Sequence, residues 1–495
     1  MPHPCRSFRF FPPLHPSLPF LLLPPLPFSL FSFLFSLFLS PFFSCRYGRG
    51  DGRGDLYAIY SKDDATFDVI KTHATKVQAL REGSRPREEA IPDPFSPHGP
   101  PKGEGEDGVG GFEGLYGLYS SEGVVTTLAG QANVTGHADG SGSGSGSGSA
   151  LFNSPHGLAV SSDGRSLYVA DTNNHCIRRV DTATGATATV AGVPGEAGEE
   201  DGAVGEARFS GPVAVAVAGD GTFLLVADAG NNNVRKVSLP SGTTTTHVAK
   251  ETDYGWIGNP QGIACAGAQC ERALLVDSGN SRILDISDGT VRVAAGPTDK
   301  GWEKKGFEDG PGENATFSFP LSGVLSEDGT TGYVSSNDNC AVRQIDMESG
   351  DVVTLAGDGE PGSRDSHNVF GEPPRFRWPM GLALSPDGRY LFVADQYNNR
   401  IRAIDVRTRD VTTVAGWIKG HQDGHVIAKD TEDPDTFVAA MFDTPRGVAA
   451  ARVANPADED GATLVLYVAD SGNHLIRKVA IRERERPVPQ VRSAP

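Results

Sequence analysis

The first candidate chemistry in this sequence is metal binding by two histidines and an aspartate. His421 and His425 flank Asp423 in the segment HQDGH. Imidazole and carboxylate groups are common metal ligands, but a spacing of four residues brings both imidazoles to one ion only in a helix. HQDGH lies in a long glycine-containing loop, so the spacing does not by itself define a metal site.

Four Asp-Gly pairs offer a second chemistry, calcium binding. Carboxylate and carbonyl oxygens at glycine-rich turns suit Ca²⁺. The pairs do not lie in a full calcium-loop pattern. Calcium is therefore a possible cofactor, but the sequence does not require a cofactor. The pairs are Asp139-Gly140, Asp201-Gly202, Asp309-Gly310 and Asp423-Gly424.

Cys265 and Cys270 are the third candidate, in the segment CAGAQC. They are close enough to bridge a short hairpin. Their spacing is neither a redox CxxC nor half of a zinc site. The sequence therefore leaves two interpretations, a local disulfide or two free thiols.

Charge and missing motifs exclude several classes of protein. The 495 residues include 44 basic and 62 acidic side chains, a formal charge of −18. This acidic excess argues against nucleic-acid binding, whose affinity depends on Lys and Arg meeting phosphates. The sequence also lacks a GxSxG elbow, an HExxH helix and a phosphate-binding loop.

A segment repeated six times contains most of the regularly spaced polar residues. In each copy a β-prone run ends at an aspartate, or at Ser336 in the fourth copy, and an asparagine follows three residues later. A catalytic site is asymmetric, so residues present in nearly every copy are predicted to be structural. The aspartates are Asp171, Asp228, Asp277, Asp395 and Asp470, and the asparagines are Asn174, Asn231, Asn280, Asn339, Asn398 and Asn473.

Each repeat predicts four short antiparallel strands, in the order SPHGLAV, SLYVAD, CIRRV and TATVAG in the first copy. Short runs rich in β-branched residues, separated by Gly, Asp and Asn, are typical of such hairpins. The sixth repeat lacks its last run, but VVTTLAG at 124–130 precedes the first repeat. The sequence therefore predicts an all-β, six-bladed propeller of four-stranded blades, closed by an N-terminal outer strand.

These repeats resemble the NHL-repeat family, named for Asn-His-Leu in the turn. The sequence contains Asn473-His474-Leu475, and the resemblance covers about 113–481. Departures include Leu284 in place of an arginine and Ser336 in place of an aspartate. The family includes scaffolding, ligand-binding and RNA-binding propellers and a metal-dependent lyase, so the resemblance implies the fold and leaves the function open.

One face of the predicted ring is acidic. The segments that join successive blades share this face with the Asp-containing turns, and four of them, 193–208, 297–317, 358–376 and 417–442, hold 19 acidic and 8 basic residues. The alternatives are a plainly solvated surface or a binding face for a protein partner with a basic surface or for a small ligand. The candidate binding residues are Asp201, Asp309, Asp365, Asp423, Asp433 and Asp435.

The residue after the proline that opens each repeat is predicted to lie at the mouth of the central channel. His156, Gln261 and Arg446 are the polar residues of this set. A catalytic metal needs several converging histidines or carboxylates, and the set contains one histidine. We therefore predict a non-enzymatic binding platform, and the alternative is an extracytoplasmic hydrolase or lyase with a metal in the channel.

The terminal regions are expected to lie outside the ring. Residues 1–45 form an apolar leader with Arg6 and Arg9, which fits a secretory signal, a misassigned start or an uncleaved membrane anchor. Residues 46–112 are a low-complexity linker with an amphipathic helix predicted at 63–82, and 482–495 are predicted to be disordered. The compartment follows the leader: secretory or extracellular if the leader is genuine, cytoplasmic otherwise, with membrane contact only through an anchor.

Overall fold

The computed structural model describes residues 123–142, 149–287, 290–298, 304–366, 372–416, 418–425, 439–454 and 462–481. The leader, the linker with its predicted helix 63–82 and the C-terminal tail lie outside these residues. No helix in the described part of the chain is long and apolar enough to cross a membrane.

Six antiparallel sheets form the six blades of a β-propeller, as the repeats predict. Strand β1 (Val124–Gly130) precedes the first complete blade. Blade 1 contains β2 (Pro155–Val160), β3 (Ser166–Asp171), β4 (Cys176–Asp181) and β5 (Thr187–Ala191), and blade 2 contains β6 (Pro212–Val217), β7 (Phe223–Asp228), β8 (Asn233–Ser238) and β9 (Thr244–Val248).

The remaining blades follow the same order, with one short ribbon inserted between blades 2 and 3. A small ribbon, β10 (Glu251–Thr252) and β11 (Gly255–Trp256), joins blades 2 and 3. Blade 3 contains β12 (Pro260–Ala266), β13 (Arg272–Asp277), β14 (Arg282–Ser287) and β15 (Thr290–Ala295), and blade 4 contains β16 (Pro320–Leu325), β17 (Thr331–Ser336), β18 (Ala341–Asp346) and β19 (Val352–Ala356). Blade 5 contains β20 (Pro379–Leu384), β21 (Tyr390–Asp395), β22 (Arg400–Asp405) and β23 (Val411–Ala415). After the two-residue strand β24 (Gly424–His425), the chain supplies three strands of blade 6, β25 (Pro445–Ala454), β26 (Ala462–Asp470) and β27 (Leu475–Ile481).

Burial explains the sequence of the second strand in each blade. Every residue of β3, β7 and β21 is buried. Both faces of a blade pack against neighbouring blades, so these strands are continuous apolar runs such as FLLVAD rather than alternating ones. The apolar residues therefore form six clusters between adjacent blades, and the first strands are left to line the central channel.

The predicted closure of the ring is confirmed. Strand β1 pairs with β27 in antiparallel register, with Val125 opposite Val479, and so forms the fourth strand of blade 6. Strand β24 pairs with the other edge of β1. Without β1, blade 6 would expose the unpaired edge of β27.

The central residue of the Asn-His-Leu turn connects one blade to the next. Nδ1 of His474 accepts a hydrogen bond from the backbone N–H of Ser154 at 3.0 Å, across the junction between blades 6 and 1. Nδ1 of His175 accepts from Gly211 at 2.9 Å. A ring nitrogen that accepts must be unprotonated, and burial lowers the pKa of His474 accordingly. In blades 6 and 1 the turn histidine therefore fixes the blade to the residue that precedes the next blade's opening proline.

Candidate functional site

The face of the ring that carries these turns and the segments joining the blades is called the link face here. Its most regular feature is a buried arginine on the third strand. In blade 1, Arg178 has no exposed side-chain area and lies 3.0 Å from Oδ2 of Asp171 and 2.8 Å from Oδ1 of Asp139. Its guanidinium also stacks over Phe152, 5.3 Å from the ring centroid. Two carboxylates and a ring therefore replace the water that the buried cation has lost.

Most other blades repeat this arrangement. Arg235 lies 3.3 Å from Asp228 and 2.7 Å from Asp201 in blade 2. Each of these arginines also donates to carbonyl oxygens of the preceding joining segment, as Arg235 does to Glu200 and Arg208. The remaining pairs with both carboxylates are Arg402 with Asp395 and Asp365, and Arg477 with Asp470 and Asp423.

The aspartates of the joining segments are thus engaged inside the fold. Besides its arginine, Asp201 accepts from the backbone N–H and hydroxyl of Thr246 on the outer strand. Asp309 contacts Arg343 and Thr354 in the same way, Asp365 contacts Arg402 and Thr413, and Asp423 contacts Arg477 and Thr127. The sequence interpretation assigned these four carboxylates to partner binding. In the structure they hold the joining segments onto the blades, because each is the counterion of a buried arginine.

The same contacts disfavour calcium binding at the Asp-Gly pairs. A guanidinium at hydrogen-bond distance occupies the carboxylates of all four Asp-Gly pairs and repels a further cation. The glycines of the first three pairs form bridges to the outer strands, for example Gly202 with Thr244, and Gly424 pairs with Val125 of β1. Asp433 and Asp435 lie outside the described residues.

The buried aspartates of the repeat also organise the backbone. Oδ1 of Asp171 accepts from the N–H of Asn153, and Oδ2 accepts from the side-chain amide of Asn174, which in turn joins a loop carbonyl. Burial raises the pKa of these aspartates, and that of Asp470 reaches about 6. The pairs of blades 2, 3, 5 and 6 are Asp228 with Asn231, Asp277 with Asn280, Asp395 with Asn398, and Asp470 with Asn473.

The two departures from the repeat are compensated locally. In blade 4, where Ser336 replaces the aspartate, Oδ1 of Asn339 accepts both the Ser336 hydroxyl and the backbone N–H of Ser318. In blade 3, Leu284 stands where the other blades have arginine, and Arg282 reaches Asp277 from two residues earlier at 2.7 Å. The buried cation is therefore present in every blade, although the sequence spacing differs.

The channel mouth is formed by the residues after the six opening prolines. It opens into a cavity of about 330 Å³ lined by the first strands of all six blades. His156, Gln261 and Arg446 are among its lining residues, as the topology predicts, together with Val213, Leu321 and Met380.

His156 and Arg446 are in direct contact at this mouth, across the junction of blades 1 and 6. Nη1 of Arg446 is hydrogen-bonded to Nε2 of His156. Desolvation and the adjacent guanidinium lower the pKa of His156 from 6.5 to about 3, so the imidazole is neutral and accepts this bond. Gln261 belongs to blade 3, opposite blade 6 in the ring, and its amide donates to Asn259 at 2.8 Å. The mouth therefore holds one cation, one neutral imidazole and one amide.

The predicted metal-binding groups are not brought together. His421 is exposed, and Asp423 is bound to Arg477. No cluster of three or more His, Cys, Asp or Glu side chains that could hold a metal ion occurs in the described ranges. Cys265 and Cys270 form a disulfide across the β12–β13 turn.

Exposed aromatic side chains are a feature that the sequence interpretation missed. Five are present in the described part of the chain, and all five lie on the link face. Trp378 and Tyr397 form a tilted pair with ring centroids 4.8 Å apart. The sequence does contain a signal for two of these aromatic residues. The residue before the opening proline is small or polar in four repeats and aromatic in the other two. The five are Tyr254, Trp256, Phe319, Trp378 and Tyr397.

The described residues define a six-bladed, four-stranded β-propeller. Residues 152–180 match the family model described as NHL repeat. NHL repeat-containing protein 2 of Homo sapiens is 28% identical over 343 residues, which are 66% of this chain and 39% of that protein. Protein SUPPRESSOR OF QUENCHING 1, chloroplastic, of Arabidopsis thaliana is 31% identical over 293 residues, which are 56% of this chain and 27% of that protein. The chain therefore contains an NHL repeat and is similar to these NHL-repeat proteins, and it spans less than half the length of these curated relatives.

Solved structures share the fold at low sequence identity. An auxiliary nutrient binding protein from Bacteroides thetaiotaomicron VPI-5482 has a TM-score of 0.51 and 15% identity, covering 73% of this chain and 76% of that chain. A structural genomics protein of unknown function from the same organism has a TM-score of 0.51 and 18% identity, with the same coverage. These similarities concern the propeller fold alone.

Proposed function

We propose that this propeller is a binding platform and that its partner docks on the link face through the exposed aromatic side chains. The observation that carries the proposal is the position of the five exposed aromatic residues, all on this one face. Aromatic residues are enriched at the centres of protein interfaces, so several exposed rings on one face are typical of an interaction surface. The proposal keeps the face predicted from the sequence and replaces aspartates with aromatic residues as its contact groups.

Backbone conformation adds support at two of these positions. The residues before the six opening prolines all have positive φ, between 48° and 59°. Gly211 occupies this position in blade 2 without strain, whereas Phe319 and Trp378 occupy it in blades 4 and 5. A bulky residue in this conformation costs about 1 kcal/mol or more. Retaining aromatic residues here despite that cost favours a role for their rings outside the fold.

The neighbourhood of the rings favours a partner with negative or mixed charge at the contact. The ammonium of Lys305 lies 5.2 Å from the centroid of the Phe319 ring. Arg377 is exposed beside Trp378. Asp139, Asp201, Asp309, Asp365 and Asp423 are paired with arginines, and the charges named beside these two rings are the cations Lys305 and Arg377.

The test removes rings without disturbing the backbone. Phe319→Gly and Trp378→Gly introduce the residue that blade 2 already has at this position. Ser154→Gly makes the same backbone change where no ring is lost. Each tagged variant is used to capture binding proteins from cells that naturally produce the chain. We expect the proteins retained by the wild type and by Ser154→Gly to be lost from the double variant Phe319→Gly/Trp378→Gly. Equal retention by all three would contradict the proposal.

A further inference from the structure

We propose that the channel mouth is a second, separate binding site, in which Arg446 holds the carboxylate of a small organic acid whose apolar part enters the channel. This inference goes beyond the partner surface, because it concerns a cavity and a small molecule.

The first observation is that Arg446 has no acidic partner. The buried arginines of the blades each pair with at least one carboxylate, as Arg343 does with Asp309. Within the described ranges, no carboxylate forms an ion pair with Arg446, whose guanidinium is partly buried. A partly buried guanidinium without a counterion is unfavourable. An anion bound from solution would supply the missing counter-charge.

The second observation is that the neighbouring groups do not neutralise this cation. His156 is neutral and receives one N–H of the guanidinium, so the pair keeps a charge of +1. The other donors of the guanidinium form a planar fork that matches a carboxylate. Burial lowers the pKa of Arg446, which shows how poorly water stabilises the charge at this position.

The third observation is the shape and lining of the space beside the pair. The surface of the cavity of about 330 Å³ is about equally polar and apolar, and its apolar side chains include Val213, Leu321 and Met380. Such a volume fits a small molecule rather than a folded partner. Gln261, across the ring from Arg446, offers an amide to a second polar group of the ligand. A cation at the mouth and apolar side chains on part of the lining behind it favour a carboxylate that carries a short apolar body.

The experiment uses acetate, propionate and benzoate as probes, with benzamide as the neutral counterpart of benzoate. Binding to the full chain is measured by isothermal titration calorimetry in a low-chloride buffer. We expect at least one carboxylate to bind and benzamide not to bind. Arg446→Met should weaken carboxylate binding by about tenfold or more. Arg407→Met removes an exposed arginine from the β22–β23 turn on the opposite face and should leave the affinity unchanged.

Three results would overturn the proposal. They are the absence of binding by all three carboxylates, equal binding of benzoate and benzamide, and equal affinity of the wild type and Arg446→Met. If Arg446→Met does not fold, Arg446→Lys serves in its place. Lysine keeps the charge without the planar fork, so carboxylate affinity should fall and benzamide should still not bind. Inorganic phosphate is titrated separately, because phosphate binding tighter than any carboxylate would assign the mouth to a phosphate ligand and contradict the proposed class.

Discussion

Nη2 of Arg235 lies 2.7 Å from Oδ1 of Asp201, although 34 residues separate them in the sequence. Arg235 is fully buried, and about half of the Asp201 side chain is exposed. This contact ties the segment between blades 1 and 2 to the third strand of blade 2. An aspartate that looks like a surface charge in the sequence is therefore part of the framework of the propeller.

Loss of this carboxylate should destabilise the fold. Asp201→Asn leaves Arg235 with one ionised partner, and we expect the free energy of unfolding to fall by about 1–3 kcal/mol. Glu199→Gln changes a neighbouring exposed acid on the same segment and should cost less than about 0.5 kcal/mol. Urea denaturation of both variants measures the difference. Equal stability of the two would contradict the structural role of Asp201.

The closing strand gives a second prediction from two adjacent residues. Val125 is fully buried in blade 6, whereas Val124 is 40% exposed. Val125→Ala should lower the free energy of unfolding by about 1–3 kcal/mol because it leaves a cavity. Val124→Ala should change it by less than about 0.5 kcal/mol. Thermal denaturation compares the two, and the reverse order would contradict the register of β1 on β27.

Acid should destabilise the channel mouth through His156. Its pKa is about 3 in the folded protein and near 6.5 when unfolded, so only the unfolded chain takes up this proton between those values. The stability contributed by the neutral imidazole is complete above pH 6.5 and is lost as the pH falls toward 3. Each pH unit in this window costs about 1.4 kcal/mol, or about 2 kcal/mol by pH 5.

The comparison with His156→Gln isolates this effect. Glutamine does not titrate, and the raised pKa of Asp470 affects both proteins equally. We expect the wild type to lose stability relative to His156→Gln as the pH falls from 7 to 5. A difference that stays constant over this range would contradict the neutral, desolvated state of His156.

The cysteines give a prediction that needs no substitution. Cys265 and Cys270 are bridged, while Cys176 and Cys340 are free and buried. Alkylation after unfolding without reductant should label Cys176 and Cys340 and spare Cys265 and Cys270. Peptide mapping by mass spectrometry reads out the pattern. Labelling of Cys265 and Cys270 in protein from its native compartment would show that the bridge does not form there.

The fold could be predicted from the sequence because each repeat contains the same series of strands and turns. Six copies of one pattern give six blades, and the missing run of the last copy is supplied by 124–130. Local spacing was also sufficient to assign a structural role to residues such as Asp171.

The site could be predicted only in part. Counting charges locates the acidic segments, but it cannot separate a solvated carboxylate from one that pairs a buried arginine on another strand. The position of Arg282 was missed because its guanidinium reaches Asp277 from a different place in the strand. Trp378 and Tyr397 are brought together only by the fold, since they belong to a joining segment and a turn 19 residues apart.

The most direct test of the proposed platform is site-specific photo-crosslinking on the link face. A benzophenone amino acid is placed at Tyr397, or at Val353 on the outer strand β19 as the control, and cells producing the full chain are irradiated. We predict a discrete crosslinked protein from position 397 and none from position 353. Crosslinking from position 353 alone, or the same product from both positions, would contradict the assignment of the link face as the binding surface.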